Sequence, residues 1–208
     1  MAQTGPDLVF EEDVLIAWGG ADFKAQVNGQ LLPRDRAVRI AAGEVLSFGP
    51  ARSGLRAWLA IAGGIDVPLV MGSRTTYRRA GIGGHEGRPL RAGDVLKLFA
   101  PTPWAKQVLG SLQTGQKRAV AWTVRPETMG KPAEPGVVRA LRGPECDWFA
   151  KEAVWAFFTT DWRASREADR MGVQLQGPEL RLLKPREMIS SSVNAGVVQV
   201  PPAGQPIV

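Results

Sequence analysis

Short apolar runs broken by turn-forming residues dominate the first half of the chain, at residues 14–18, 37–41, 45–48, 56–62 and 95–99. Runs of this length, bounded by glycine, proline, asparagine and aspartate, predict strands rather than long helices. Between KAQV and QLL, Asn28-Gly29 marks a two-residue hairpin, because both positions tolerate positive φ. Ala42-Gly43 and Ala92-Gly93 each precede an acidic residue and a new apolar run, EVLSF and DVLKLF. The same small turn is therefore used twice, either as a weak internal repeat or as a favoured turn.

The pattern loosens between Pro101 and Pro135, where prolines interrupt polar sequence such as SLQTGQKR. An interdomain connection is expected there, giving a first domain over 1–104, a linker over 105–135 and a second domain over 136–208. The second domain is expected to open with a strand, VVRALRG, followed by a short helix that Asp147 caps and on which Phe149 and Ala153 share a face. Further strands are expected at 173–175, 179–183, 188–191 and 197–200. The chain is thus mainly β, in two β-rich domains with few helices.

At 208 residues and 44% hydrophobic content, such domains can have real cores. Lysine and arginine number 26 against 20 acidic residues, a net charge of +6 that permits anionic partners. The basic residues are scattered, however. The densest group, Arg78, Arg79, Arg88 and Arg91, sits among glycines without interleaved aromatics, so no nucleic-acid partner is expected. One cysteine, Cys146, excludes an intrachain disulfide and a Cys-rich zinc site, and predicts a reducing compartment. The N-terminus lacks a basic region leading into an apolar core, and no apolar run reaches about 18 residues. A cytoplasmic protein with no membrane association is expected.

Catalytic constellations are few. The single histidine, His85, lies in GGHEGR and reads as a solvated loop residue rather than a general base. HEGRP lacks the second histidine of a metal-binding helix, so no metal is expected. In GSLQTGQK, residues 110–117, Gln116 displaces the P-loop lysine, and the segment reads as linker. GIGGHEG, residues 81–87, misses dinucleotide-binding spacing by one residue and reads as a tightly turned or mobile loop. Amides without side chains in the way still allow a close approach to an anion or a planar carbonyl, which makes Gly81, Gly83 and Gly84 candidates.

Two arginine-bearing loops carry more chemistry. Ser73, Arg74 and Thr75, in GSRTT, combine a bidentate guanidinium with hydroxyls. Asp169 and Arg170, in DRMG, pair an acid and a base beside a glycine. Either loop also fits a surface turn whose charged side chain fixes its own backbone. Gln199, in VVQVPPAGQP, offers both donor and acceptor at an expected strand position, and equally fits a hydrogen-bonded strand glutamine.

The blocks GLRAWLAIAGGIDVPLVMGSRTTYRRAGIGGHEGRPLRAGDVL, DRMGVQLQGP and GVVQVPPAGQPIV strongly resemble the C-component family of bacterial 5-oxoprolinase. That family is also called allophanate hydrolase subunit 2, the biotin-dependent carboxyltransferase-like family, or KipA. The same blocks resemble part of the carboxyltransferase region of urea carboxylase. The resemblance implies two cyclophilin-like β-barrel domains, the first carrying GSRTT and the second DRMG and QVPPAGQP. It also implies family segments before the counterpart of Phe10 and after Val208, so that both barrels are expected to be incomplete at the chain ends and to expose strand edges.

Further implications concern partners and chemistry. Family members work with a smaller KipI-like protein, the B component of the oxoprolinase, the active region lying between the two. The oxoprolinase form adds a LamB-like protein, its A component, and opens 5-oxoproline with ATP to give glutamate. The urea carboxylase form moves a carboxyl group from carboxybiotin to urea. All these substrates present a small amide or ureido group. Arg74, Asp169 and Arg170 become the expected catalytic residues, with Arg74 on an anionic group and the other two orienting the substrate. Ser73, Thr75, Gly81, Gly83, Gly84 and Gln199 become expected binding residues. Three functions follow: an oxoprolinase component, a biotin-dependent carboxyltransferase component, or a KipA-like regulatory module. The first is favoured because this chain has no lysine-bearing AMKM-like carrier motif and no fused carboxylase.

Overall fold

The computed structural model describes residues 1–123, 137–166, 168, 171–187 and 192–208. The chain divides into two compact units, Met1–Lys131 and Pro132–Val208. It is mainly β, with antiparallel pairing throughout its named strands.

In the first unit, β1 (Asp7–Val9), β3 (Gln26–Val27), β4 (Gln30–Leu31) and β6 (Val45–Ser47) form a four-stranded sheet in the order β1, β6, β3, β4. A three-stranded sheet places β2 (Val14–Asp22) between β5 (Ala37–Ile40) and β7 (Ser53–Ile61). Among the described residues the pairing does not join these two sheets into one closed barrel. The expected hairpin is present: Asn28 (φ 51°) and Gly29 (φ 77°) join β3 to β4 with Val27 opposite Gln30.

Strand β2 is apolar almost without alternation because both its faces are covered. Ile16 and Trp18 pack with Phe23, Val27, Val38, Ile40, Leu46 and Phe48 in the main core, whereas Leu15 packs with Ala37 and with the helix α1 (Pro103–Thr114). That helix lies in the stretch expected to be linker. Its prolines open the helix rather than break it: Thr102 is the N-cap, its hydroxyl accepting the Ala105 N–H at 3.2 Å, and Pro103 follows where an N–H would have no helical partner. Ala105, Val108 and Leu112 recur at helical spacing and cover the second face of β2. GSLQTGQK is therefore the last turn and exit of a packed helix, with Gly115 as its C-cap.

Asp13 fastens these layers. Its carboxylate accepts the Ala42 N–H at 2.9 Å, the Gln113 amide of α1 at 2.7 Å and the Arg39 guanidinium of β5 at 2.8–2.9 Å. The Ala42 N–H, then Gln113 and Arg39, lower its pKa from 3.8 to about 2.

Residues 66–97 form an excursion from the end of β7. Its two ends meet in the Ile65–Leu98 bridge, where the Asp66 N–H bonds the Lys97 carbonyl at 2.8 Å and the Phe99 N–H bonds the Gly64 carbonyl at 3.0 Å. The apolar run 95–99 is therefore not a strand: among the described residues its ladder contact is that one bridge, at Leu98.

The second unit has a 3-10 helix at Pro144–Trp148, a helix α2 (Lys151–Thr159) and a two-stranded ribbon of β8 (Arg163–Ala164) and β9 (Leu175–Gln176). Residues 137–143 are not a strand. Asp147 lies inside the 3-10 helix, so it does not cap α2, whose N-cap is Ala150 and whose first turn begins after Phe149. The runs at 179–183 and 197–200 supply single bridges, Leu182 to Phe149 and Gln199 to Ile207. The expected strand at 188–191 lies outside the described residues. Among the described residues no helix is long and apolar enough to cross a membrane.

Leu46, fully buried between the sheets, should cost about 2–5 kcal/mol of stability when replaced by alanine, measured by urea unfolding. Asp13 contributes fully above its unfolded pKa near 3.8 and loses that contribution as the pH falls toward 2. Asp13→Asn should therefore lower stability at pH 7 by about 1 kcal/mol, allowing for solvent screening, and flatten the loss between pH 4 and 2.

Candidate functional site

Six of the expected site residues fall within the 66–97 excursion, and the local backbone explains how they are held. Val70 and Ser73 exchange hydrogen bonds at 2.9 and 3.0 Å around Met71 (φ 51°) and Gly72 (φ 77°), a tight turn with two left-handed positions. The Ser73 hydroxyl accepts the Thr75 N–H at 3.1 Å, bending the chain so that Arg74 projects from the turn. The Arg74 guanidinium lies over the Phe99 ring, 4.9 Å from its centre. A ring at the base of the excursion thus supports the exposed cation of a loop.

Tyr77 and Ile82 form a second tight pairing, at 2.8 and 3.3 Å, and the chain then folds back on the first turn. Gly83 and Gly84 lie directly against Thr75 and Thr76. A Cβ on Gly83 would collide with the Thr75 carbonyl oxygen, and one on Gly84 with the Thr76 hydroxyl. Both also have positive φ, 72° and 55°, so glycine is required for backbone shape and for close approach. Neither the Gly83 nor the Gly84 N–H has a hydrogen-bond partner among the described residues. The Gly87 N–H closes the loop onto the Gly83 carbonyl at 2.9 Å.

Arg88 organises the far side of this loop. It forms a bidentate pair with Asp94 at 2.7 and 2.8 Å, reaches Glu86 at 2.8–2.9 Å and donates to the Pro89 carbonyl at 3.1 Å. Asp94 also accepts the Arg91 N–H at 2.7 Å. The Arg88 fork, then that N–H, holds the Asp94 carboxyl well below the usual carboxylate range, and Asp94 in turn raises Arg88. His85 is not the solvated loop residue expected. Its side chain is 21% exposed, with Nε2 at 3.4 Å from the Arg88 guanidinium and 3.7 Å from Asp94.

Arg88 and Asp94 were not expected as site residues. Their signal is the repeated turn. At Ala42-Gly43-Glu44 the carboxylate accepts the Ala41 N–H at 2.8 Å and takes a bidentate arginine, Arg118, at 2.7 Å on both oxygens. Ala92-Gly93-Asp94 repeats that arrangement, with Arg91 supplying the N–H and Arg88 the fork.

In the second unit the two blocks that carry the resemblance lie side by side. Ile207 bridges both Gln174 and Gln199, and Val173 and Val208 exchange bonds at 2.7 and 3.0 Å. The Gln199 backbone is bonded in both directions to Ile207 at 2.8 Å, and the residue is exposed. Asp169 and Arg170 lie outside the described residues. A separate open groove of about 1000 Å³, lined by Leu141, Phe149, Trp155, Phe158 and Leu183 among others, includes none of the expected site residues. Among the described residues no group of three His, Cys, Asp or Glu side chains is placed to hold a metal ion.

The carboxyltransferase domain family, subdomains A and B, matches this chain over residues 1–208. The C component of the 5-oxoprolinase of Escherichia coli is 37% identical over 199 residues, covering 96% of this chain and 58% of the relative. The urea amidolyase of Saccharomyces cerevisiae is 35% identical over 176 residues, covering 85% of this chain and 9% of the relative. The crystal structure of the Kluyveromyces lactis urea carboxylase superposes with a TM-score of 0.67 at 27% identity, covering 88% of this chain and 16% of that one. The chain thus spans little more than half the length of the bacterial relative and a small part of the fungal ones. It is homologous to the C component of 5-oxoprolinase and to the carboxyltransferase regions of the urea-processing enzymes, and it belongs to the carboxyltransferase domain family, subdomains A and B.

Proposed function

We propose that the chain is one component of a 5-oxoprolinase-type amide hydrolase, acting with KipI-like and LamB-like partners in the cytoplasm, and that residues 73–75 with 81–84 bind its small amide substrate. The observation that carries this reading is the packing of Gly83 and Gly84, with N–H groups unpartnered among the described residues, against Thr75 and Thr76 beside an exposed Arg74.

The chemistry follows from the groups present. An amide resists cleavage until charge can gather on its carbonyl oxygen, and fixed N–H donors are suited to receive that charge. The Gly83 and Gly84 amides supply such donors without side chains in the way. Arg74 supplies a planar fork for the carboxylate of 5-oxoproline, its guanidinium steadied by the face of the Phe99 ring. In this reading Asp169 and Arg170 orient the substrate and Gln199 is a further binding residue. ATP enters at the level of the complex, through the partner proteins. The 37% identity to an oxoprolinase C component across nearly the whole chain supports this choice.

A second reading is favoured by the similarity to the fungal urea amidolyase and urea carboxylase. Here the same loops hold a ureido group, and carboxybiotin on a separate carrier supplies the carboxyl. A KipA-like regulatory module needs neither reaction, only a KipI-like partner.

Co-purification with the KipI-like and LamB-like proteins separates the three. ATP-dependent glutamate release from 5-oxoproline supports the first reading, biotin-dependent carboxylation of urea the second, and tight association without either activity the third. In the active complex Arg74→Ala should lower turnover about 100-fold or more, with an unchanged melting temperature because Arg74 is exposed. Near-normal turnover would remove Arg74 from the site.

A further inference from the structure

We propose that Arg88 is a positioning residue for this site: its fork onto Asp94, with Glu86 and His85 gathered around the same guanidinium, fixes the loop that presents the Gly83 and Gly84 amides. The proposal rests on the reading of residues 81–84 as a ligand-binding loop, and it adds a role for Arg88 and Asp94, which were not among the expected site residues.

Loop residues 83–87 pack against Thr75, Thr76 and Gly81, but few hydrogen bonds hold their backbone among the described residues. They form no strand or helix, and their internal backbone bond runs from the Gly87 N–H to the Gly83 carbonyl at 2.9 Å. Glycine-rich segments lose much conformational entropy on ordering, so an amide pair of this kind stays fixed only when something outside it supplies the restraint. Arg88 is the residue immediately after the loop, and its guanidinium meets Asp94, Glu86, His85 and the Pro89 carbonyl at 2.7–3.4 Å. Asp94 is itself fixed by the Arg91 N–H at 2.7 Å, so the restraint passes from a closed turn through one bidentate pair to the loop.

The fork matters as well as the charge. Two parallel N–H···O bonds define the guanidinium plane relative to the carboxylate, whereas an ammonium would leave it free to swivel. Because donors aimed at a developing charge act through their fixed placement, a loop that swivels loses binding even when every donor is still present. The equivalent pair at the other turn, Arg118 with Glu44, joins two segments far apart in sequence and holds the scaffold. Arg88 and Asp94 are six residues apart, and their pair encloses residues 89–93 next to the glycine loop.

The test compares the full chain with Arg88→Lys, Asp94→Asn and the double variant by amide hydrogen exchange, without ligand. Exchange at Gly87 should quicken about tenfold in each single variant while the amides of β2 and β5 keep their rates, and the double variant should be no worse than either single one. Gly87 rates within about twofold of the parent, or equal quickening in β2 and β5, would overturn the proposal. 5-Oxoproline is then titrated while the Gly83 and Gly84 amide resonances are followed. Weakening of its binding about tenfold in Arg88→Lys supports positioning, and an unchanged Kd overturns it. Failure of 5-oxoproline to move these resonances in the parent chain counts against the substrate reading, while the exchange comparison still decides whether Arg88 restrains the loop.

Discussion

Strand β2 is hydrogen-bonded along both edges and covered on both faces, and the first unit is arranged around that condition. An apolar strand of this kind needs two separate partners for its side chains. The four-stranded sheet takes Ile16 and Trp18, and α1 takes Leu15. β7 is the neighbour of β2, and the site excursion leaves from its end, where the Ala62 N–H still bonds the Leu15 carbonyl at 2.9 Å. The candidate site therefore stands on the most constrained strand pair of the unit.

A carboxylate that accepts its own turn's N–H and an arginine fork together does two tasks in one place. It closes the turn locally and gives a distant or flexible segment something rigid to grip. At Glu44 the gripped segment is the chain leaving α1, through Arg118. At Asp94 it is the glycine loop, through Arg88. One local solution thus serves packing in one case and site geometry in the other.

Much of the first unit was legible in the sequence because its strands bury one face or both, which sets the apolar runs at 14–18, 37–41, 45–48 and 56–62. Asn28-Gly29 was equally legible, since few dipeptides accept two positive φ angles. Helix α1 was not, because Pro103 reads as a breaker unless its place at the first helical position is known. The run 95–99 misled for a different reason: its apolar residues pair through one bridge rather than a ladder. Within the site, GSRTT and GIGG stood out by residue type. The choice of Arg88 from among Arg78, Arg79, Arg88 and Arg91 depends on which of them meets Asp94 in space, and spacing alone does not contain that.

The bridge between Ile65 and Leu98 has an implication for how such a chain can change over time. Because both ends of the 66–97 excursion are tied at one point, its contents can lengthen, shorten or be rewritten without moving the register of β2 against β7. Closing a longer loop across a fixed base adds only a slowly growing entropic cost. The sheet thereby acts as a socket and the excursion as an exchangeable head, so that one scaffold can carry different loop sequences while its folding instructions stay the same.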